Sequence, residues 1–167
     1  MPERWVGIVV SGDTLTLVDA EVPKTGPLNL QSDQSWSLQD GDRASAFDVM
    51  YRRVRHYIQE HGIARTVVKA SALSQGSTRM GHLTSAELRG VVMCAAAAST
   101  VQCLAKNFIS RRFGNRKVDE YVKDSNFWDD NIAGDLRSGS REAAMMLLAA
   151  RNKLWPAYNP TFKSEPL

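Results

Sequence analysis

The sequence predicts an α/β domain in which a mixed β-sheet carries helices on both faces. Three patterns indicate this fold class. The chain opens with two short apolar runs joined by a polar turn, a long amphipathic segment follows, and a strand–helix–strand unit occupies the middle of the chain. A tight hairpin gives antiparallel strands and a strand–helix–strand crossover gives parallel ones, so the sheet that contains both is mixed.

The size and composition of the chain suit one domain. Its 167 residues are enough for a substantial core, and we expect a domain over residues 1–155 with a C-terminal tail over 156–167. A hydrophobic fraction of 43% and a charged fraction of 23% are ordinary for a globular protein. The net charge of +3 permits an anionic partner without requiring one. Without a long apolar run or a signal-peptide pattern, we expect a cytoplasmic protein with no membrane partner.

The opening hairpin supplies the first strands. Trp5–Val10 (WVGIVV) is a continuous apolar run, as in a buried strand, and Ser11–Asp13 is a turn. Thr14–Val18 (TLTLV) alternates and should pair back on it. Asp19–Gln34 contains two prolines and a glycine, which predicts a loop or irregular edge, and Ser35–Leu38 could add a short edge strand.

A first helix is predicted over Ala44–His61, with Asp42 as its N-cap and Gly62 as its end. Its apolar positions follow the 3,4 spacing of one buried stripe: Phe47, Met50, Tyr51, Val54, Tyr57 and Ile58. Three arginines lie between them and form either a solvated face or a nucleic-acid patch: Arg52, Arg53 and Arg55.

The central unit predicts a strand at Thr66–Ala70, a helix at Leu83–Ala98 and a strand at Thr100–Ala105. The small residues in the second half of this helix suggest close packing. Cys94 and Cys103 are expected to be reduced core residues, since their spacing suggests neither a metal site nor a disulfide.

Two polar segments are candidates for phosphate binding. Ser74–Arg79 offers hydroxyls, backbone N–H groups and the Arg79 cation, although an ordinary polar loop has the same composition. The segment Lys106–Lys117 joins two aromatic residues to a basic cluster of Arg111, Arg112, Arg116 and Lys117. Phe108 and Phe113 could stack on unpaired bases, or they could belong to the core beneath a solvated helix end.

The C-terminal third predicts two short helices or turns, at Asn115–Val122 and Ser125–Asp130. A last helix is predicted over Ser140–Leu154 with Ser140 as its N-cap. Phe127–Asp130 (FWDD) is either an exposed partner-binding loop or the place where an aromatic pair closes the core.

This order of elements resembles the RNase H-like superfamily, and within it the RuvC-like branch. The resemblance covers about Trp5–Leu154 and is carried by three features: the opening hairpin, the segment AELRGVVMCAAAA followed by TVQCLA, and the last helix with Glu142 near its start. The Arg89-Gly90-Val91 step lies within the second feature. The resemblance implies a sheet of RNase H type and an ancestry among nucleases that cut Holliday junctions.

The chemistry that the resemblance implies is phosphodiester hydrolysis by two Mg²⁺ ions held by carboxylates. Val10 and Ser11 stand where the first strand should end in an aspartate, Lys69 replaces a glutamate, and Glu142 matches the acidic residue of the last helix. An ammonium group cannot ligate a cation, so Lys69 argues against metal binding and could instead pair with Glu142 or Asp13.

The resulting prediction is a RuvC-like protein with a degenerate catalytic site and no cofactor. It would act as a nucleic-acid-associated or scaffolding subunit of a bacterial or phage system, with DNA or RNA, a protein partner or a second copy of itself as partner. Two alternatives stay open: a divergent Mg²⁺-dependent nuclease that uses Asp13, Asp135 and Glu142, and a protein–protein module that keeps only the fold.

Overall fold

One six-stranded mixed sheet organises the computed structural model, which describes residues 1–70, 80–111, 113 and 116–151. The strand order is β5-β4-β1-β2-β3-β6. β1, β2 and β3 form an antiparallel meander, whereas β4 and β5 join β1 in parallel, and β6 pairs in parallel with β3. The strands are β1 Glu3–Ser11, β2 Thr14–Val22, β3 Leu28–Ser37, β4 Arg65–Lys69, β5 Thr100–Leu104 and β6 Ile132–Ala133. The predicted mixed sheet is confirmed.

Helices cover both faces of the sheet, as the sequence predicts. On one face lie α1 (Arg43–Glu60) and α2 (Met80–Ala96), which bury Val6, Ile8 and Val10 of β1. On the other face lies α6 (Arg141–Arg151), with three short helices beside it: α3 (Lys106–Ser110), α4 (Val118–Lys123) and α5 (Ser125–Asn131). Within the described part of the chain, no helix has the length and apolar character needed to cross a membrane.

The region between β2 and β3 departs from the prediction. The sequence suggests a loop over Asp19–Gln34, but β2 continues to Val22 and β3 already begins at Leu28. The two prolines are confined to the short connection at residues 23–27, where no ladder hydrogen bond is lost. β3 is largely polar and half exposed, so it lacks the apolar alternation by which strands are recognised.

Local signals set the ends of α1. The Asp42 side chain accepts a hydrogen bond from the Ser45 backbone N–H at 2.8 Å, which confirms the predicted N-cap. Gly62, just past the C-cap, has φ of 60°, a conformation that glycine adopts without strain. The predicted stripe is buried at Met50, Val54, Tyr57 and Ile58, whereas Phe47 and Tyr51 are partly buried at its margin.

The last helix is buried on every side. Eight consecutive residues, Ala143 to Ala150, have at most 6% exposure, as in a helix enclosed by the core. Ser140 directly precedes α6, at the predicted N-cap position, but it also ends a 3-10 turn at Ser138–Ser140 and its hydroxyl donates to Asp33 of β3. Trp128 is buried and its indole N–H donates to the Tyr121 carbonyl, so the Phe127–Asp130 segment closes the core.

The prediction that the two cysteines lie in the core is wrong, although neither forms a disulfide. Cys94 and Cys103 are both free thiols on the surface. Cys94 lies on the outer face of α2, and Cys103 lies on β5, which is an edge strand of the sheet. The apolar residues around both cysteines suggested burial. Cys103 is exposed because the sheet ends at β5.

Candidate functional site at the carboxyl edge of the sheet

The candidate site lies where the three parallel strands β1, β4 and β5 end side by side. β1 ends at Ser11, β4 at Lys69 and β5 at Leu104, and their register brings these ends to one edge of the sheet. Ligands of open α/β sheets bind outside the carboxyl ends of such strands. The start of α6 reaches the same edge and carries Glu142.

Lys69 and Glu142 form an ion pair at this edge. Lys69 Nζ lies 2.7 Å from Glu142 Oε1, and the two side chains are 23% and 26% exposed. Alternation along β4 points Lys69 to the same face as Val67, which packs in the cluster that contains α6. The hypothesis that Lys69 pairs with Glu142 is confirmed.

The end of β1 adds no carboxylate to this pair. The register that pairs Ile8 with Val68 places Val9 beside Lys69, and Val9 packs in the α6 cluster. Val10 faces the opposite side of the sheet, toward α1 and α2, and Ser11 is exposed at the end of the strand. Val9, Val10 and Ser11 therefore bring only apolar and hydroxyl side chains to this end of β1.

A second lysine–carboxylate pair, which the sequence reasoning missed, lies next to the first. Lys106 follows β5 almost directly, and its Nζ donates to both carboxylate oxygens of Asp119 on α4, at 2.8 and 3.0 Å. The hydrogen bond from Lys106 lowers the pKa of Asp119, and the charges of Lys123 and Lys69 lower it further. Lys69 is thus close enough for its charge to act on Asp119, and the two pairs share one edge.

Asp13 pairs with Arg43 instead of with Lys69. Its Oδ1 lies 3.3 Å from Arg43 Nη1, and Arg43 also binds Glu87 of α2 at 2.6 Å. The adjoining Gly12 N–H donates to Ser85 Oγ at 2.7 Å, so the β1–β2 turn is fastened to the start of α2. Asp13 therefore ties the hairpin to the helices instead of joining the Lys69 pair.

Asp135 lies on another part of the molecule. It is exposed and follows β6, which is four strand positions from β4, or about 19 Å at the usual spacing. Asp13, Asp135 and Glu142, the three carboxylates of the nuclease alternative, form no metal-binding group in the structure. Among the described residues, no three His, Cys, Asp or Glu side chains are close enough to hold a metal ion together.

Arg89, in the Arg89-Gly90-Val91 step of α2, contacts the end of β4 from the face of the sheet that α2 covers. Its Nε donates to the carbonyl oxygen of Lys69 at 3.0 Å. Burial lowers the pKa of Arg89, so the contact lies in a partly desolvated position. The hydrogen bond fixes the backbone from which the Lys69 side chain projects.

The basic segment Lys106–Lys117 includes one arginine, Arg116, that already has partners within the protein. Arg116 binds Asp124 at 2.9 Å and lies over the Tyr121 ring, whereas Arg111 and Lys117 are exposed. Phe108 and Phe113 are partly buried against the core, which favours the structural alternative over base stacking. Arg79, Arg112 and the loop Ser74–Arg79 lie outside the described residues.

We use one name for the exposed cations beside the candidate site. Arg111 follows α3, Lys117 precedes α4 and Lys123 ends α4. These three residues form what we call the α3–α4 surface. Together with the two lysine–carboxylate pairs, it offers ammonium and guanidinium groups to an anion, since a phosphate can replace a carboxylate as their partner.

The architecture is the RNase H-like fold in its RuvC-like form. No protein-family model and no curated protein sequence matches the chain, but solved structures do. Thermus thermophilus RuvC has a TM-score of 0.69 at 15% identity, covering 89% of this chain and 93% of that one. The same protein in complex with a Holliday junction substrate has a TM-score of 0.67 at 14% identity, with coverage of 90% and 93%. The yeast mitochondrial Holliday junction resolvase Ydc2 has a TM-score of 0.62 at 9% identity, with coverage of 90% and 79%.

Proposed function

We propose that the protein is a catalytically degenerate RuvC-like subunit that associates with nucleic acid without cutting it. It would serve a bacterial or phage system in the cytoplasm. The observation that carries this proposal is the 2.7 Å ion pair between Lys69 Nζ and Glu142 Oε1. It lies at the edge where the RuvC-like resemblance leads us to expect a cluster of carboxylates.

The ion pair opposes metal binding in two ways. An ammonium group has no lone pair to offer, and its positive charge repels a divalent cation. It also engages Glu142, the carboxylate that matches the resemblance, so a metal ion would have to displace Lys69 before binding. Mg²⁺ requires several oxygen ligands in near-octahedral geometry, and Glu142 and Asp119, each engaged by a lysine, fall well short of that set.

The proposed nucleic-acid contacts are the cations that flank the pair. Arg111, Lys117 and Lys123 of the α3–α4 surface would bind backbone phosphates, as would Lys69 and Lys106 on exchanging their carboxylate partners. Arg79, Arg112 and Arg116 would provide further contacts to phosphates. Because the RuvC structure noted above holds a Holliday junction, branched DNA is the first ligand to test.

The test is fluorescence anisotropy with a four-way junction, matched duplex and single-stranded DNA, and single-stranded RNA, each in a salt series. The proposal expects binding that weakens steeply as salt increases, because phosphate contacts release counterions. Reversal of charge in Arg111→Glu and Lys117→Glu should each weaken binding severalfold. Lys24→Glu, at an exposed position at the opposite edge of the sheet, is the matched control and should change it little.

Two outcomes would contradict the proposal. A salt slope near zero would remove direct phosphate contacts and favour the protein–protein module. Mg²⁺-dependent cleavage of any of these substrates that disappears in Glu142→Ala would support the nuclease alternative instead.

The protein–protein alternative has an observation of its own, on α2. Met80, Leu83 and Met93 are 73%, 50% and 37% exposed, and the outer face between them carries small residues such as Gly90. Such a face can pack closely on a second copy of itself about a two-fold axis. Sedimentation equilibrium tests this homodimer: Leu83→Glu should dissociate it and Val49→Glu, on α1, should not. A monomeric wild type at high concentration would contradict it.

A further inference from the structure

A cavity of about 690 Å³ opens at the amino edge of the sheet, the end opposite the Lys69–Glu142 pair. It lies between the start of β1, the β2–β3 connection and the end of α6. Trp5, Val22, Pro23 and Ala150 form its apolar walls among the described residues. Its volume falls in the range of ligand and peptide-anchor pockets, about 300–1,000 Å³.

Glu3 carries the one carboxylate among the described lining residues, and it already accepts hydrogen bonds within the protein. Glu3 Oε2 accepts a hydrogen bond from the Trp5 indole N–H at 2.8 Å and another from Arg65 Nε at 3.3 Å. The Arg65 guanidinium also stacks on the Trp5 ring, 4.8 Å from its centroid. This arrangement holds the indole in place as a flat wall of the cavity.

Two further cations border the cavity. Lys24 is exposed on the β2–β3 connection, and Arg151 Nη1 donates to the Gly26 carbonyl at 2.6 Å. With Arg65 there are three cations against the single carboxylate of Glu3, an excess of two positive charges among the described lining residues. The cavity therefore combines an aromatic wall with a positive rim.

We propose that this cavity binds an acidic segment of a partner protein that carries an aromatic anchor residue. The aromatic side chain would enter against Trp5 and Pro23, and the flanking carboxylates would meet Lys24 and Arg151. The cavity is partly open to solvent, so a chain can enter and leave, whereas a small ligand is usually enclosed over most of its surface. The site is distinct from the nucleic-acid surface and does not depend on it.

The test is a ¹⁵N-HSQC titration of the full chain with acetyl-Trp-Glu-Glu-amide. The Trp5 indole N–H and the amides of Val22 and Lys24 should shift and saturate. Lys24→Glu, an exposed position that leaves the core intact, should weaken binding by roughly fivefold or more at low salt. Arg55→Glu makes the same change of charge on α1 and should alter the affinity less than twofold.

Each other outcome would overturn the proposal. No shift at millimolar peptide would show that the cavity does not accept this chemistry. Equal binding of acetyl-Ala-Glu-Glu-amide would show attraction by charge alone. Equal binding of indole-3-acetate, which has the ring and carboxylate without a chain, would make the cavity a small-molecule site. Shifts confined to the α3–α4 surface would place the acidic peptide on the nucleic-acid edge.

Discussion

Gly7 of β1 and Ala143 of α6 are in direct backbone contact: a Cβ atom on Gly7 would overlap the carbonyl oxygen of Ala143 and press on the Leu147 side chain. The contact sets how closely α6 lies on the centre of the sheet. Glu142 precedes Ala143, so the same contact sets the height at which the Glu142 carboxylate meets Lys69 at the carboxyl edge.

Gly7→Ala should therefore destabilise the fold. The added methyl group meets backbone, which moves only if α6 shifts as a whole, so we expect a loss of about 2–4 kcal/mol in the free energy of unfolding. Urea denaturation followed by circular dichroism measures it. Gly139→Ala is the matched control, because nothing lies within 4 Å of its Cβ position, and it should change stability by less than about 0.5 kcal/mol. Equal effects of the two variants would contradict the close approach.

A second buried contact gives stability a dependence on alkaline pH. Asp19 has no exposed surface and accepts hydrogen bonds from Arg4, at 2.7 and 2.8 Å, and from the Tyr57 hydroxyl at 2.7 Å. Burial, together with the hydrogen bond to Asp19, raises the pKa of Tyr57 from 10.0 to about 12. Since the pKa is higher in the folded state, the neutral phenol stabilises the fold below pH 10, and this stabilisation is lost as the pH rises toward 12.

Tyr57→Phe isolates this effect. At pH 8 the variant should be less stable than the wild type by about 1–3 kcal/mol, because it lacks a hydrogen bond to a charged acceptor. The difference should shrink between pH 10 and 12, where the wild-type phenol ionises beside Asp19. Denaturation at a series of pH values measures both. A difference that stays constant up to pH 12 would show that Tyr57 ionises as it does in the unfolded chain.

The two lysine–carboxylate pairs should be coupled. Lys106→Met should raise the pKa of Asp119 toward its ordinary value, because the hydrogen bond from Lys106 is the main cause of its depression. Lys69→Met should raise the same pKa by a smaller amount, through the loss of a nearby charge. Carboxyl ¹³C NMR measures each titration, and Lys24→Met at the far edge of the sheet is the control. If the pKa of Asp119 is the same in Lys69→Met as in the wild type, the two pairs are not coupled.

The fold follows from the sequence where patterns are local. The buried run of β1, the 3,4 stripe and Asp42 cap of α1, and the order of β4, α2 and β5 all predict the observed elements. β3 is not predicted in full because its largely polar residues show no apolar period, and its pairing with β2 is a tertiary relationship. The exposure of Cys103 likewise depends on which strand ends the sheet, which composition does not reveal.

The candidate site is predictable only in part, because some of its contacts join residues that are far apart in the sequence. Lys69 and Glu142 are identified because each falls at a position that the resemblance marks, and they pair because the end of β4 meets the start of α6. Lys106 and Asp119 belong to no motif, although a lysine directly after a parallel strand is a signal that could have indicated the edge. Asp13 sits near the expected position along the chain, but Arg43, thirty residues away, determines its contacts.

We propose that the Lys69–Glu142 ion pair takes the place of a metal site at the carboxyl edge of the sheet. Isothermal titration of Mn²⁺ into the wild-type protein at low salt tests it most directly. We predict no saturable heat, because Lys69 engages Glu142 and no three His, Cys, Asp or Glu side chains in the described part of the chain lie close enough to hold a metal ion together. One or two Mn²⁺ ions binding stoichiometrically, with binding abolished in Glu142→Ala, would contradict it.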